Sequence, residues 1–481
     1  MRPATKAFKA AADRELDDLA SRALLSLFLQ YGSAMRERGM GTFPDPAAAL
    51  ELGAAIRGEV IARLPELLEE FERNATARGA RVLWARNAEE ACALVVELAR
   101  ERGIRYVTKG KSMVNDELGL NEALEESGVE PIETDLGEFI VQQLKRPPFH
   151  IVGPAINIPV EEISDLFMEK AGMKAPSTDP VELGYAARLF LRGKFRDVEM
   201  GITGVNMAVA STGTIINVEN EGNIRFSKSS PRTQVSVMSL EKVVPSMDDA
   251  LHMLRLLTRS CMGLKITSYV TMDSGPRKEG EIDGPEEFFI VIVDNGRSRV
   301  YADLKAREAL RCIRCGACLP SCPIYGKIGG YPYGWIYSGP IGQVLNPLLL
   351  GLGETRDLYQ ACTLCGSCKA SCPAGIDHPA LLLEYRARDA EGGRALEGGK
   401  RRFGEARLFD LWALAVRRAW SWNLGARFLR SILNRNQREG VISSGAGLLS
   451  GWFLCRDLPA LPRRSFHELA RELEREEARP E

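Results

Sequence analysis

Apolar residues recur at helical spacing over the first part of the chain. The pattern covers Leu16–Leu29 and, after a polar break, Ala47–Phe71. A 3.6-residue period of this kind is typical of amphipathic helices. We therefore expect residues 1–77 to be helical and to pack on the domain that follows.

From about residue 80 the pattern changes to short apolar segments separated by amphipathic ones. Asn87, with Glu90 three residues later, begins a helix to about Arg102, and Ser112 begins another to Glu126. The predicted strands are short aliphatic runs: Arg81–Ala85, Ile104–Thr108, Ile151–Gly153, Thr214–Val218, Val235–Met238, Ile266–Thr271 and Phe288–Val293. This alternation predicts an α/β domain over residues 78–298, with a parallel sheet and flanking helices.

After the turn signal at residues 294–296, Arg299–Arg311 is predicted to form a helix, and a further helix lies near Leu381–Arg388. These helices delimit a third region, residues 299–390. A linker follows, marked by Gly392, Gly393, Gly398 and Gly399. Residues 391–481 then predict a helical tail, with an amphipathic stretch and a charged last helix.

The third region contains two copies of one cysteine pattern. The first copy is Cys312-x2-Cys315-x2-Cys318-x3-Cys322-Pro, and the second is Cys362-x2-Cys365-x2-Cys368-x3-Cys372-Pro. This is the ligand run of bacterial ferredoxins, and it predicts two [4Fe–4S] clusters and one-electron transfer. Structural zinc usually takes two separated ligand pairs, often with His, and therefore fits these compact runs poorly. Disulfides fit a reducing cytosol even less well.

The two runs are separated by residues 323–361, far more than in a small bacterial ferredoxin. This link resembles the helical ferredoxin module of succinate dehydrogenase and heterodisulfide reductase iron–sulfur subunits. The resemblance implies crosswise ligand sets, in which Cys312, Cys315, Cys318 and Cys372 hold one cluster and Cys322, Cys362, Cys365 and Cys368 hold the other. The alternative, in which each run closes on its own cluster, stays open.

Composition excludes several other classes of function. The 481 residues are long enough for two or three domains, and the net charge of −1 gives no electrostatic case for nucleic acid. Met1–Leu19 carries charges of both signs and no secretory pattern, and no apolar run reaches the length of a membrane span. We expect a cytoplasmic protein, which also suits oxygen-sensitive clusters.

The α/β region offers one possible ligand loop. The stretch from Lys109 to Ser112 follows a strand and opens a helix, but Arg105 stands where a P-loop needs glycine. Backbone and hydroxyl donors at strand ends can hold an anion, and the candidate residues are Lys109, Lys111, Ser112, Thr203, Asn206, Thr212, Gly213 and Thr214. Tight turns without a ligand are the alternative. No GxGxxG pattern follows a strand, so no flavin or nicotinamide site is predicted.

The remaining candidates are weaker. The four histidines have no partner at metal-ligand spacing, and Cys92 and Cys261 are predicted to be buried thiols. Leu408–Leu433 combines tryptophans with arginines, a pattern found in helices that pack on their own domain, dock on a partner or lie on a membrane. Packing is the commonest outcome, and membrane contact is the least favoured.

Taken together, these motifs resemble one family, that of the iron–sulfur subunit of the L-lactate utilisation complex, lactate-utilisation protein B. The motifs are Thr108–Ser112, Gly201–Asn206, Thr212–Thr214, Ile156–Pro159 and Glu241–Pro245, followed by the paired cysteine runs. The resemblance implies a LUD domain, related to sugar isomerases and CoA transferases, and then a mainly helical two-cluster ferredoxin domain. The family often has an acidic residue at the position of Ser211, so a site that uses that carboxylate would be weakened here.

The family implies partners as well: a cysteine-rich, heterodisulfide-reductase-like subunit and a second LUD protein, which together oxidise L-lactate to pyruvate. On this reading the chain is a non-catalytic electron-transfer subunit, and no catalytic residue is assigned. Two alternatives are an iron–sulfur subunit of a different reductase, linked to a heterodisulfide or a quinone, and a ligand-sensing LUD protein with regulatory clusters.

Overall fold

The computed structural model describes residues 3–392, 403–444, 450, 453, 456–462 and 464–477. The chain falls into two compact units, residues 1–400 and 401–481. No helix among the described residues is long and apolar enough to cross a membrane. The division into four regions at residues 77, 298 and 390 stays a prediction.

Four helices form the start of the first unit, as the apolar pattern predicted. They are α1 (Phe8–Asp17), α2 (Leu19–Met40), α3 (Pro46–Ala62) and α4 (Leu64–Ala77). The Asp45 side chain accepts a hydrogen bond from the Ala48 N–H and caps α3. The stretch Ala47–Phe71 spans two helices, and Pro65 lies in the first turn of the second, α4, where its missing N–H costs nothing.

The rest of the first unit alternates strands and helices. The strands are β1 (Arg81–Ala85), β2 (Tyr106–Lys109), β3 (Glu130–Glu133), β4 (Met200–Gly204), β5 (Met207–Val209), β6 (Thr214–Glu219), β7 (Thr233–Ser239), β8 (Val243–Val244), β9 (Tyr269–Asp273) and β10 (Glu287–Val293). The helices are α5 (Ala88–Glu101), α6 (Met113–Leu118), α7 (Leu120–Glu126), α8 (Leu136–Gln143), α9 (Val160–Lys170), α10 (Pro180–Asp197), α11 (Asn223–Ser229), α12 (Met247–Met262), α13 (Arg297–Ala302), α14 (Tyr325–Ile328), α15 (Gly339–Leu350), α16 (Arg356–Gln360), α17 (Ser367–Ala370) and α18 (His378–Glu391).

A six-stranded parallel sheet is the centre of the α/β region, which confirms the predicted fold class. Its order is β1-β10-β7-β4-β2-β3. A smaller mixed sheet, β8-β5-β6-β9, contains the predicted strand at Thr214 in an antiparallel setting. The largest apolar cluster runs from the N-terminal helices through this region to the link between the cysteine runs, with Phe71, Ile290 and Tyr333 fully buried.

Four segments differ from prediction. Ile151–Gly153 is a bend, because the His150 Nδ1 accepts hydrogen bonds from the Val152 and Gly153 N–H groups. The helix after Ser112 breaks at Gly119, whose φ is +74°. The predicted helix Arg299–Arg311 ends at Ala302, since the Asp303 carboxylate accepts from the N–H groups of residues 305 and 306 and closes a turn there.

The fourth segment is Gly201–Gly204, which is the buried strand β4 rather than part of a loop. A Cβ at Gly201 would lie 1.7 Å from the Ser227 carbonyl oxygen of α11. Glycine therefore serves close packing of helix on strand, not ligand binding.

The second unit contains α19 (Phe403–Val416), α20 (Ala419–Leu433), α21 (Phe466–Glu477) and a small antiparallel sheet of β11 (Gln437–Arg438), β12 (Val441–Ile442) and β13 (Leu458–Pro459). The predicted amphipathic stretch is thus two helices. Of the four glycines predicted to mark the linker, Gly392 ends α18 with a φ of +71°, whereas Gly393, Gly398 and Gly399 lie outside the described residues.

Candidate iron–sulfur centre and adjoining cavity

The two cysteine runs fold alike. The residue before the second cysteine has a left-handed backbone in both, with φ of +62° at Arg314 and +57° at Leu364. This turn directs the N–H of that residue at the first sulfur of the run, at 3.4 Å from the Cys312 Sγ and 3.3 Å from the Cys362 Sγ. A non-glycine residue with positive φ is uncommon and marks a constrained turn.

The fourth cysteines also accept backbone hydrogen bonds. The Tyr325 N–H lies 3.5 Å from the Cys322 Sγ, and the Ile376 N–H lies 3.4 Å from the Cys372 Sγ. Such N–H donors favour the thiolate over the thiol and tune the potential of a cluster bound by it.

The thiols fall into two groups of four. Burial raises the pKa of Cys318, and the next causes are the thiols of Cys312, Cys315 and Cys372. Burial raises the pKa of Cys368 to about 12, followed by the effects of Cys362, Cys322 and Cys365. Each group therefore combines three cysteines of one run with the last cysteine of the other.

A serine pair joins the two runs at their centre. Ser321 and Ser371 each precede the fourth cysteine of their run, and their hydroxyl oxygens lie 2.6 Å apart. Each hydroxyl also contacts the carbonyl oxygen four residues earlier, that of Ala317 or Ser367. The runs are thus arranged as symmetric partners, which brings each fourth cysteine towards the opposite run.

The two groups differ in exposure. In the first group Cys315 and Cys318 are buried, at 8% exposure each. In the second group Cys365 is exposed, and it borders a surface cavity of about 690 Å³ that α2 also lines. Each group also has two partly buried thiols, and Cys368 of the second group is 6% exposed. The groups therefore differ at one position, because Cys365 is exposed and the first group has no exposed thiol.

The donor set fits iron–sulfur clusters, since all eight candidate ligands are cysteines and a [4Fe–4S] cluster takes four. No three His, Cys, Asp or Glu side chains in the described part of the chain converge closely enough to hold a single metal ion. The ligands of a [4Fe–4S] cluster need not converge in this way, because its four thiolates bind four separate iron atoms.

A buried ion-pair network fixes the first run to the α/β region. The Arg314 guanidinium donates to Glu241 at 2.9 Å and lies over the Tyr337 ring. Glu241 pairs in turn with Arg297, which pairs with Glu117. Burial opposes ionisation of Glu241, but Arg297 and Arg314 lower its pKa to about 2. Nothing in the sequence pattern indicated this network.

Beside this network, a cavity of about 360 Å³ lies between the α/β region and the first run. Ile313 and Arg314 of that run form part of its wall, together with Lys111, Lys242 and Cys261. Lys242 and Cys261 were not predicted as site residues: the Glu241–Pro245 motif contributed to the family resemblance without a site role, and Cys261 was predicted only as a buried thiol.

Three of the eight residues of the predicted ligand loop line this cavity, and five do not. Lys111, Ser112 and Asn206 line the cavity. Lys109 does not, because it is buried in ion pairs with Glu133 and Asp116, at 2.5 and 3.1 Å.

The other four residues lie away from the cavity. Thr203 is buried in the sheet and accepts from the Gln234 side chain. Thr212, Gly213 and Thr214 form a turn against α4, where a Cβ at Gly213 would lie 2.2 Å from the Ala75 nitrogen.

Comparisons with known proteins place these features in a family. A model described as "LUD domain" matches residues 68–293, and one described as "4Fe-4S dicluster domain" matches residues 308–376. Lactate utilization protein B of Bacillus cytotoxicus is 41% identical over 422 residues, which are 88% of each chain. The chain belongs to the lactate utilization protein B family. The Bacillus licheniformis member is 38% identical and covers 97% of each chain.

The family assignment confirms the predicted LUD domain and iron–sulfur character, and all eight run cysteines fall inside the dicluster match. A solved DUF162 family protein from Deinococcus radiodurans covers 48% of this chain and 98% of its own at 14% identity, with a TM-score of 0.26. Such a likeness carries no argument about function.

Proposed function

We propose that this member of the lactate utilization protein B family is an electron-transfer subunit in the oxidation of L-lactate to pyruvate. In this proposal Cys312, Cys315, Cys318 and Cys372 hold one [4Fe–4S] cluster, and Cys322, Cys362, Cys365 and Cys368 hold a second. When bound, such clusters supply one-electron transfer. The single observation that carries the proposal is the arrangement of the eight thiols in two groups of four, of which the second has an exposed member, Cys365.

The surrounding residues give each group a different task. Arg314 holds a positive charge beside the first group and is itself held by Glu241 and Tyr337. The second group includes the exposed Cys365, where a partner can approach. Electron transfer between proteins requires one redox centre near the surface, and the exposed Cys365 would place the second cluster there.

The proposed partners are a cysteine-rich, heterodisulfide-reductase-like subunit and a second LUD protein, and the proposed location is the cytoplasm. The proposal gives this chain no part in breaking the lactate C–H bond.

The test uses protein purified without oxygen. Iron and sulfide should each be about eight per chain, as two [4Fe–4S] clusters require. Dithionite should produce two interacting EPR signals, and lactate should produce them only when the partner subunits are present. Cys92→Ala is the matched control, because that buried thiol lies outside both runs and should leave iron content unchanged.

Two results would contradict the proposal. About four irons per chain would reject the second cluster. Clusters that dithionite reduces but that lactate with all partners never reduces would reject the lactate assignment and favour a different reductase or a sensor.

A further inference from the structure

The cavity beside the first cysteine run contains a buried lysine without a partner. Lys242 is 8% exposed and lines the cavity. Within the described residues its ammonium group makes neither a hydrogen bond nor an ion pair, and the adjacent Glu241 is committed to Arg297 and Arg314. Burying an unpaired charge costs several kcal/mol in order of magnitude. Burial, followed by the charge of Arg314, lowers the pKa of Lys242 to about 8. An anion bound beside this ammonium would favour its charged form and remove the cost of leaving it unpaired.

The other charges around the cavity are already engaged. The Lys111 ammonium donates to the Val152 carbonyl oxygen at 2.7 Å. Glu219 accepts hydrogen bonds from the N–H groups of Ile224 and Arg225. Lys111 also lies 3.9 Å from the Glu138 carboxylate, and Arg314 pairs with Glu241. Of the two lysines on the cavity wall, Lys242 is therefore the one whose ammonium makes no hydrogen bond or ion pair with the described residues.

Several polar groups limit what the ligand can be. Glu221 lines the cavity, and burial, followed by the charge of Asp135, raises its pKa to about 7. The Asn217 Nδ2 donates to the Gly204 carbonyl oxygen, which leaves the buried Oδ1 without a donor. The wall thus presents one unpaired ammonium, that of Lys242, and groups that can accept a hydrogen bond from a hydroxyl. A volume of about 360 Å³ suits a small organic molecule and is at the low end of the common range for such sites.

We propose that this cavity binds a small organic carboxylate, whose carboxylate group pairs with the Lys242 ammonium. The ligand would lie against Ile313 and Arg314, between the first and second cysteines of the run. A carboxylate rather than phosphate is favoured, because one unpaired ammonium compensates one negative charge and the acidic residues on the wall oppose a second.

Binding at this place should affect the first cysteine group. A bound anion disfavours the more negative, reduced form of a neighbouring cluster, so carboxylate should lower the potential of the first cluster. This consequence rests on the cluster assignment proposed above, whereas the binding of the anion does not.

The test is equilibrium dialysis of the full-length holoprotein without oxygen, with labelled L-lactate, pyruvate and acetate as probes and inorganic phosphate as the non-carboxylate probe. We expect saturable binding of at least one carboxylate at one site per chain. Lys242→Met should weaken it about tenfold or more, the usual effect of losing a charge-assisted hydrogen bond. Lys242→Arg should keep part of the affinity.

Lys327→Met is the matched control. It removes one lysine beside the other cysteine group and does not touch this cavity, so its affinity should equal that of the wild type. Lys242→Met should also fold, because it removes an uncompensated buried charge, and its melting temperature should equal or exceed the wild-type value.

Wild-type affinity in Lys242→Met, no saturable carboxylate binding, or phosphate bound as tightly as carboxylate would each overturn the proposal. Iron content and the dithionite-reduced EPR spectrum of the same samples test the electron-transfer proposal separately from the carboxylate site. Intact clusters without carboxylate binding reject the cavity site alone, and carboxylate binding without two clusters rejects the relay alone.

Discussion

Cys372→Ala tests which cysteines share a cluster. Cys372 belongs to the second run by sequence, but burial and then the Cys312 thiol are among the causes that raise its pKa to about 11. If ligation is crosswise, its removal breaks the cluster of the first run. The run to which Cys372 itself belongs keeps its three other cysteines and Cys322.

The expected magnitude follows from the grouping. Iron should fall from about eight to about four per chain, because a [4Fe–4S] cluster that loses one of its four thiolates is lost or degraded. Spin integration after dithionite reduction should fall from two centres towards one. The substitution also removes the acceptor of the Ile376 N–H, a change of about 1 kcal/mol that the fold can tolerate.

Comparison of three single variants decides the pairing. With crosswise ligation, Cys372→Ala and Cys318→Ala remove the same EPR signal, and Cys368→Ala removes the other. If each run closes on its own cluster, Cys372→Ala and Cys368→Ala instead remove the same signal. That second pattern would refute our reading of the thiol groups. Cys261→Ala, which removes a thiol near Cys315 that belongs to neither run, should leave both signals.

Three further predictions address the surroundings of the clusters. Arg314→Leu places at position 314 the residue type found at the matching position of the second run, Leu364. A unit charge near a redox centre is worth on the order of 2 kcal/mol, or ~90 mV. Because Glu241 compensates part of the Arg314 charge, the reduction potential of the first cluster should fall by several tens of mV in a redox titration. Gly330→Ala places a Cβ 1.7 Å from the Phe149 carbonyl oxygen and should cost about 1–3 kcal/mol or more by chemical denaturation, whereas Gly326→Ala meets nothing closer than 3.8 Å and should be neutral. Burial lowers the pKa of His150 from 6.5 to about 3, so between these pH values the unfolded state binds one more proton than the folded state. The free energy of unfolding should therefore fall by up to about 1.4 kcal/mol per pH unit as the pH drops below 6.5. His150→Gln should reduce this dependence of stability on pH.

The cysteine spacing and the strand–helix alternation were readable from sequence because both are local. The run fixes ligand type, and alternating apolar segments fix the class of sheet. The family resemblance supplied the LUD assignment, which composition and periodicity alone do not give.

The features that were missed depend on distant residues. Gly201–Gly204 has the glycines of a loop, but they are needed because α11 packs directly on β4. Lys109 has the sequence position of an anion ligand, but its ammonium forms a buried ion pair with Glu133 on the neighbouring strand. Lys242 stands out only after folding, when its neighbour Glu241 is seen to be engaged elsewhere.

The long link between the runs explains why the two thiol groups differ in exposure. Its aromatic side chains Tyr325, Tyr333 and Tyr337 are fully buried, and α15 packs among them, so the link is core rather than spacer. Tyr337 of this core lies under the Arg314 guanidinium, which pairs with Glu241 and thereby ties the first run to the α/β region. Among the described residues of the first unit, none buries Cys365 in this way. The two cysteine runs are alike in sequence but differ in surroundings, because the first borders the cavity proposed to bind a carboxylate and the second carries the exposed Cys365, where we propose that a partner docks.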